Sequence, residues 1–144
     1  MTIEFRSHSP AETVAIGEKI GRQLKGNEII FLVGDLGAGK TLFAKGIAGA
    51  LGIAPEEVVS PSFTLINEFR GKDNRRFYHL DLYRLGPSEE NHLPEIDDYI
   101  GEGVMVIEWA QFLHSSYFKL KDSIKVTFKP GESETGRILE IDTL

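Results

Sequence analysis

Apolar and polar positions alternate along the chain in ways that predict short strands and amphipathic helices. Residues 29–33 and 104–107 are apolar throughout, which is typical of central strands buried on both faces of a sheet. Apolar side chains recur at helical spacing over residues 42–51, soon after the first of these runs. The pattern therefore predicts a buried strand followed by a helix, and a second buried strand much later in the chain.

A helix is also predicted ahead of the first apolar run. Residues 3–5 alternate as in a short strand, and after them Ser9 suits the N-cap, Pro10 the first helical position and Glu12 the third. Apolar residues then follow at roughly helical spacing as far as the Gly-Asn turn at residues 26–27.

The middle of the chain predicts a β-hairpin. Residues 62–70 and 75–83 are rich in aromatic and β-branched side chains, which favour strands. The Gly-Lys-Asp-Asn sequence at residues 71–74 separates them and is a turn signal. Two strands around so short a turn predict an antiparallel pair.

The second half of the chain adds shorter elements. Residues 88–90 suit the start of a short helix, and residues 95–100 suit another helical piece. Residues 124–128 and 138–141 alternate as strands on either side of a Pro-Gly turn.

One motif organises these elements. Residues 34–41, Gly-Asp-Leu-Gly-Ala-Gly-Lys-Thr, fit the P-loop pattern G-x-x-x-x-G-K-S/T between the predicted strand and helix. Backbone N–H groups of such a loop and the N-terminus of its helix form an anion site suited to phosphates. We expect Lys40 to reach the β- and γ-phosphates and the Thr41 hydroxyl to bind Mg²⁺. The predicted nucleotide-binding residues here are Asp35, Leu36, Gly37, Ala38, Gly39, Lys40, Thr41 and Leu42.

Strands and helices mixed around a P-loop predict the fold class. We expect a three-layer α/β P-loop NTPase sandwich whose mixed sheet includes the antiparallel hairpin. A chain of 144 residues without a convincing linker suits one domain, residues 1–144. The motif predicts that a nucleoside triphosphate binds, and it does not identify the reaction.

Two carboxylates are candidates for the acid that a P-loop needs near its Mg²⁺. Glu108 follows the second apolar run and fits best, whereas Asp81 follows residues 77–80 of a less apolar strand. Carboxylates at the carboxyl ends of adjacent strands would converge on the loop. One would hold the metal's water shell and the other would polarise the attacking water, a division that the sequence leaves open. The alternative is that each is a solvated strand-end acid.

Other polar residues are weaker candidates. Thr64 follows a loop, where a threonine can donate to the γ-phosphate or bind its Mg²⁺. A basic cluster within residues 70–76 could contact phosphate or an acidic partner. The alternative is that it is a solvated edge of the hairpin without such a contact. His79 and His92 lack metal-site spacing, which favours structural or surface roles. Trp109 is either a core side chain or an exposed contact.

Composition excludes several classes of function. The chain has no cysteine, which excludes disulfides, thiol catalysis and a thiolate zinc site. No apolar run approaches the ~20 residues of a membrane span, and no secretory signal is visible, so a cytoplasmic protein is expected. The net charge of −6 disfavours a freestanding nucleic-acid binder.

Four segments, in this order and spacing, resemble the bacterial TsaE family, also called YjeE. They are residues 34–41, 60–65 (Ser-Pro-Ser-Phe-Thr-Leu), 78–85 (Tyr-His-Leu-Asp-Leu-Tyr-Arg-Leu) and 107–109 (Ile-Glu-Trp). The resemblance implies a weak Mg²⁺-dependent ATPase required for the threonylcarbamoyladenosine modification of tRNA. It implies TsaB and TsaD as partners, tRNA contact only within their complex, and hydrolysis that resets the complex between turnovers.

The resemblance also implies roles for single residues. Lys40 and Thr41 would bind phosphate and Mg²⁺, and Thr64 would be a switch-like threonine. Asp81 and Glu108 would be the acids around metal and water, so Lys40, Asp81 and Glu108 are the implied catalytic residues.

Positions outside these motifs match less well. Leu42 stands where the family commonly has a second threonine or serine. Residues 89–95 lack the leucine that usually follows the acid pair and the glycine that usually comes later. The resemblance therefore does not support the short helix predicted there. Gln111 stands where an acid is common, so no carboxylate role carries over to it. Pro10 is predicted to border the adenine, and Trp109 to lie beside the acids.

Two other functions suit the same motif. A small-molecule kinase would need an arginine-rich lid, and the arginines here cluster on the predicted hairpin instead. A nucleotide-dependent binding switch would hydrolyse negligibly. The Asn-Lys-x-Asp motif by which many GTPases read their base is missing, which mildly favours ATP.

Overall fold

The computed structural model describes residues 1–35, 37–59, 66–88 and 91–143 of the chain. Within these residues the chain forms seven strands and three α-helices joined by turns and short 3₁₀ segments. In chain order they are β1 (Thr2–Ser7), α1 (Pro10–Arg22), β2 (Ile29–Val33), α2 (Gly37–Ala50), β3 (Ile66–Arg70), β4 (Arg76–Asp81), α3 (Pro94–Tyr99), β5 (Val104–Glu108), β6 (Ser123–Pro130) and β7 (Arg137–Thr143).

All seven strands belong to one mixed sheet in the order β1-β7-β6-β2-β5-β4-β3. The centre is parallel, because β2 pairs in parallel with both β5 and β6, and β5 with β4. The flanks are antiparallel, with the pairs β3–β4, β6–β7 and β1–β7. The α/β fold with a mixed sheet that includes an antiparallel hairpin, predicted from the sequence, is confirmed.

Both faces of the sheet are covered, which makes three layers. Side chains alternate along β2, so Ile30 and Leu32 join the core under α1 and α2, while Ile29 and Phe31 join the core on the other face. That second core is closed by α3, a helix of six residues, and by 3₁₀ turns between β5 and β6. The second helical layer is therefore thinner than the first.

Local signals place several element boundaries correctly. Ser9 is the N-cap of α1, and its Oγ accepts a hydrogen bond from the Glu12 amide at 3.2 Å. The hairpin turn lies at residues 71–74, where Asp73 and Asn74 adopt left-handed backbone conformations. The apolar runs become β2 and β5, which are buried along nearly their whole length.

Several boundaries differ from the prediction by one or more residues. β4 ends at Asp81 rather than at residue 83, because Tyr83–Leu85 forms a 3₁₀ turn. Helix α3 begins at Pro94, one residue earlier than predicted, because proline suits the first helical position. Of the helix start predicted at residues 88–90, Ser88 is not helical and the other two residues lie outside the described part of the chain.

Glycines let α1 and α2 approach closely on one face of the sheet. A Cβ added to Gly17 would lie 2.3 Å from the Phe43 carbonyl oxygen, and one added to Gly46 would lie 2.1 Å from the Val14 carbonyl oxygen. Both obstacles are backbone atoms, which cannot move without shifting a helix. Among the described helices, none has the length and apolar character that crossing a membrane requires.

We predict that Gly46→Ala destabilises the fold although alanine is the better helix former. The new methyl group forces α1 away from α2, which costs about 1–3 kcal/mol by analogy with overpacked cores. The matched control is Gly49→Ala on the exposed side of the same helix, where the nearest atom is Pro55 Cγ at 3.8 Å. That change should stabilise by about 0.5–1 kcal/mol. Chemical denaturation measures both, and equal effects would contradict the close packing.

Candidate active site

The parallel centre of the sheet brings two carboxylates to one edge. Asp81 and Glu108 end β4 and β5 and stand opposite each other in the register, and Glu108 also stands opposite Leu32 of β2. All three strands point the same way, so their carboxyl ends meet where β2 leads into the Gly-rich loop. The convergence predicted from the sequence is therefore present in the strand register.

The loop turns at a position that only glycine suits. Gly34 has φ +136°, and a Cβ there would lie 2.7 Å from the Phe128 carbonyl oxygen. Helix α2 then begins at Gly37. The first N–H groups of a helix lack partners within the helix, and its dipole favours negative charge there. The first turn of α2 contains no acidic residue that would compete with an anion for these groups.

Thr41 and Glu108 are joined directly across this edge. The Thr41 hydroxyl donates to both Glu108 carboxylate oxygens, at 2.9 Å to Oε1 and 3.1 Å to Oε2. The carboxyl group is almost fully buried. The contact commits the hydroxyl proton of Thr41 to Glu108.

His79 provides a contact that the sequence analysis does not anticipate. It is fully buried, and its Nε2 lies 2.5 Å from Glu108 Oε2. The alternation of β4 could have indicated that His79 lies near the site. His79 comes two residues before Asp81, and alternate residues of a strand share one face of the sheet. Its spacing in sequence gives no hint of Glu108, which is 29 residues away.

Lys40 is a buried cation beside these acids. Its Nζ lies 4.0 Å from the centroid of the Trp109 ring, a cation–π contact, and has no hydrogen-bond partner within the described residues. Burial lowers the pKa of Lys40 to about 8, although the negative charges of Glu108, Asp35 and Asp81 oppose that shift. A buried ammonium without an acceptor is a group to which an anion can bind.

Trp109 occupies an unusual backbone position directly after Glu108. It has φ 58° and ψ 38°, in the left-handed region, which is uncommon for a bulky residue. Its half-buried ring stacks on Phe112 with centroids 5.5 Å apart and lies 5.1 Å from the Tyr83 ring. Trp109 therefore packs against the core on that face of the sheet and also forms one wall of the Lys40 environment.

Gln111 connects the turn after β5 to the start of the loop. Its Nε2 donates to the Gly34 carbonyl at 3.0 Å, and its Oε1 accepts from the Gly34 amide at 3.3 Å. A carboxylate at this position would lack the donor for the first of these bonds. The Gln111 side chain thus holds the loop backbone through two hydrogen bonds. The sequence alone does not reveal this contact, because the two residues are 77 positions apart.

A cleft of about 70 Å³ lies beside the loop. Six residues from α1, α2 and the β6–β7 hairpin line it: Pro10, Thr13, Gly39, Leu42, Thr135 and Arg137. Three of these, Pro10, Gly39 and Leu42, were selected from the sequence. The hairpin residues Thr135 and Arg137 were missed, because no motif marks them.

The remaining predicted residues lie apart from these contacts or outside the described chain. Asp81 is half-buried, and its Oδ1 accepts a hydrogen bond from the Tyr83 amide at 3.0 Å. Asp35 is exposed. Leu36 and Thr64 fall outside the described residues, so their predicted contacts stay predictions, as do those of the Gly37 and Ala38 backbone.

Comparison with known proteins gives a consistent result. A family model described as "Threonylcarbamoyl adenosine biosynthesis protein TsaE" matches residues 7–138. The curated tRNA threonylcarbamoyladenosine biosynthesis protein TsaE of Aquifex aeolicus (strain VF5) is 42% identical over 106 residues, covering 72% of this chain and 73% of the relative. The protein of the same name from Bacillus subtilis (strain 168) is 39% identical over 112 residues, covering 77% and 68%.

A solved structure is similar over nearly the whole chain. The crystal structure of YdiB from Bacillus subtilis superposes with a TM-score of 0.71 at 30% sequence identity. The match covers 98% of this chain and 84% of YdiB.

We predict that phosphate binding at Lys40 is coupled to proton uptake. The pKa of Lys40 is about 8 in the free protein, and a bound anion raises it because opposite charge favours the ammonium. The affinity for ADP should therefore fall as the pH rises above about 8, by up to tenfold for each pH unit.

Calorimetry in buffers of different ionisation enthalpy measures this proton uptake. Lys45→Gln, which removes another lysine of α2 outside the site, is the control and should keep the wild-type pH profile. An ADP affinity that stays constant across the range would show that Lys40 does not contact the phosphates.

Proposed function

Because the chain belongs to the TsaE family of threonylcarbamoyl adenosine biosynthesis proteins, we propose that it is an ATPase that serves the threonylcarbamoyladenosine modification of tRNA. A single P-loop ATPase domain, residues 1–144, carries this activity. The observation that supports hydrolysis is the contact of Thr41 on α2 with Glu108 on β5, directly beside the buried Lys40. A buried ammonium, a hydroxyl and a carboxylate thus lie together.

The triphosphate binds at the N-terminus of α2. The ammonium group of Lys40 is buried and has no hydrogen-bond acceptor within the described residues, so a phosphate oxygen would satisfy it. The N–H groups of the first helical turn add further donors. When a phosphate binds, Lys40 exchanges its cation–π contact with Trp109 for a charge-assisted hydrogen bond, which is the stronger interaction.

Mg²⁺ fits the Thr41–Glu108 pair by the chemistry of its donors. A hydroxyl and a carboxylate are hard oxygen ligands of the kind that Mg²⁺ prefers. Thr41 already donates its proton to Glu108, so a cation would meet its oxygen rather than its proton. Bound there with the nucleotide, the ion would neutralise charge that develops on the phosphates.

The contacts of the two acids favour different roles for them. Glu108 already accepts a hydrogen bond from Thr41 and lies 2.5 Å from His79 Nε2, so we assign it to the metal side of the site. Asp81, at the end of the neighbouring strand and half-buried, is placed to orient the attacking water. Thr64 is proposed to sense the γ-phosphate.

The nucleoside binds in the cleft beside the loop. Pro10 and Leu42 offer it apolar contacts, and Thr135 and Arg137 offer polar ones. The cleft adjoins Gly39, one residue before Lys40. A base and ribose attached to a phosphate chain at Lys40 would need a site this close to the loop.

The partners follow from the family. We propose that the chain acts with TsaB and TsaD in the cytoplasm, where hydrolysis resets their complex between turnovers. The net charge of −6 supports contact with tRNA through those partners rather than by this chain alone.

Reconstitution of tRNA modification with purified TsaB and TsaD tests the proposal. Wild-type chain should allow many turnovers, whereas Lys40→Ala and Glu108→Ala should stop the reaction after roughly one. In the same mixtures Glu108→Ala should lower ATP hydrolysis by about 10²-fold or more, because a group that stabilises reacting charge is removed.

Multiple turnovers without this chain would contradict the role in modification. Multiple turnovers with Glu108→Ala would instead indicate a binding switch in which hydrolysis is dispensable.

The cleft is tested by Leu42→Glu, which places a carboxylate among its lining residues. We expect weaker binding of ADP and unchanged binding of pyrophosphate, which does not enter the cleft. Lys45→Glu on the same helix, whose side chain contacts the Pro55 carbonyl instead, makes a larger change of charge and is the control. Equal losses for ADP and pyrophosphate in Leu42→Glu would place the base elsewhere.

A further inference from the structure

His79 is a buried ionisable residue that the proposed chemistry leaves without a role. It lies on β4 opposite Val106 of β5, and its ring stacks 6.4 Å from that of Phe77. The side chain is fully buried. A polar residue in such surroundings costs free energy unless its groups are hydrogen-bonded.

Among the described residues, the imidazole makes one polar contact, which is with the site. Nε2 lies 2.5 Å from Glu108 Oε2, while Nδ1 has no hydrogen-bond partner among the residues described. An ionised carboxylate only accepts hydrogen bonds, so the proton belongs on Nε2. Packing alone would be served better by an apolar side chain, because the unpaired Nδ1 would then not be buried.

Two donors together fix the carboxylate of Glu108. Thr41 donates to Oε1 at 2.9 Å and to Oε2 at 3.1 Å, and His79 donates to Oε2 at 2.5 Å. A glutamate has three rotatable side-chain bonds, so a single donor restrains its carboxylate only in part. A second donor from β4, separate from Thr41 on α2, restrains both the plane and the direction of the carboxylate.

We propose that His79 is a positioning residue that holds Glu108 in the orientation in which it accepts the Thr41 hydroxyl proton. With that proton fixed, the oxygen of Thr41 stays turned toward Mg²⁺. This inference rests on the proposed function, because it concerns the same metal site. Groups that orient metal ligands in this way typically change metal affinity or activity by about 10- to 100-fold when they are removed.

Two substitutions separate positioning from packing. His79→Gln keeps an N–H donor near the position of Nε2, whereas His79→Leu fills the space without a donor. Tyr78→Phe alters the neighbouring buried residue, whose side chain joins the core on the opposite face of the sheet, and is the matched control. Calorimetric titration with ADP, with and without Mg²⁺, provides a readout that does not depend on turnover.

We expect His79→Leu to bind ADP without Mg²⁺ as the wild type does and to lose about 10-fold or more of the affinity that Mg²⁺ adds. His79→Gln should recover most of that loss, and Tyr78→Phe should match the wild type. A folded His79→Leu with the full Mg²⁺ effect would overturn the proposal. A wild type that binds no ADP would overturn the proposed function as well, so the two failures are distinguishable.

NMR of the wild-type protein provides a test that does not depend on the folding of His79→Leu. The ¹⁵N shifts of the imidazole should place the proton on Nε2, and Glu108→Ala should remove the protection of that proton from solvent exchange. A proton on Nδ1, with Nε2 unprotonated, would overturn the proposal, because His79 would then not donate to Glu108.

Discussion

The parallel pairing of β2 with β5 is the constraint on which the rest of the site depends. It sets Leu32 opposite Glu108, so the acid ends its strand where β2 leaves the sheet toward α2. Both strands are buried on both faces, which fixes their register because a shift by one residue would turn every side chain to the wrong face. The position of Glu108 beside the end of β2 is therefore set by the core.

The site gives up stability for this arrangement. Lys40, His79 and Glu108 are all buried, and burying ionisable groups costs free energy that hydrogen bonds return only in part. Burial lowers the pKa of Lys40 to about 8, so the unfolded chain holds this proton more tightly. Lys40 consequently destabilises the folded state at pH values below 8, and this cost fades as the pH rises toward the usual pKa of lysine.

The sequence predicts the scaffold better than the connections between its parts. Apolar runs predict β2 and β5 because a strand buried on both faces needs them, and the Gly-rich loop and Glu108 follow from position relative to those runs. The contacts of His79 with Glu108 and of Gln111 with Gly34 join residues 29 and 77 positions apart. Such contacts depend on register and side-chain direction, which no local pattern encodes. The cleft residue Arg137 was missed for the same reason.

The order of the strands has a consequence for solubility. β1 and β3 lie at the two ends of the described sheet, where unpaired backbone groups invite another sheet to add itself. Each carries an acid and a base two residues apart on one face, Glu4 with Arg6 at 3.8 Å and Glu68 with Arg70 at 3.7 Å. The side chains of a strand that paired with β1 or β3 would lie next to both a positive and a negative charge. Exposed charges on edge strands disfavour edge-to-edge aggregation in this way.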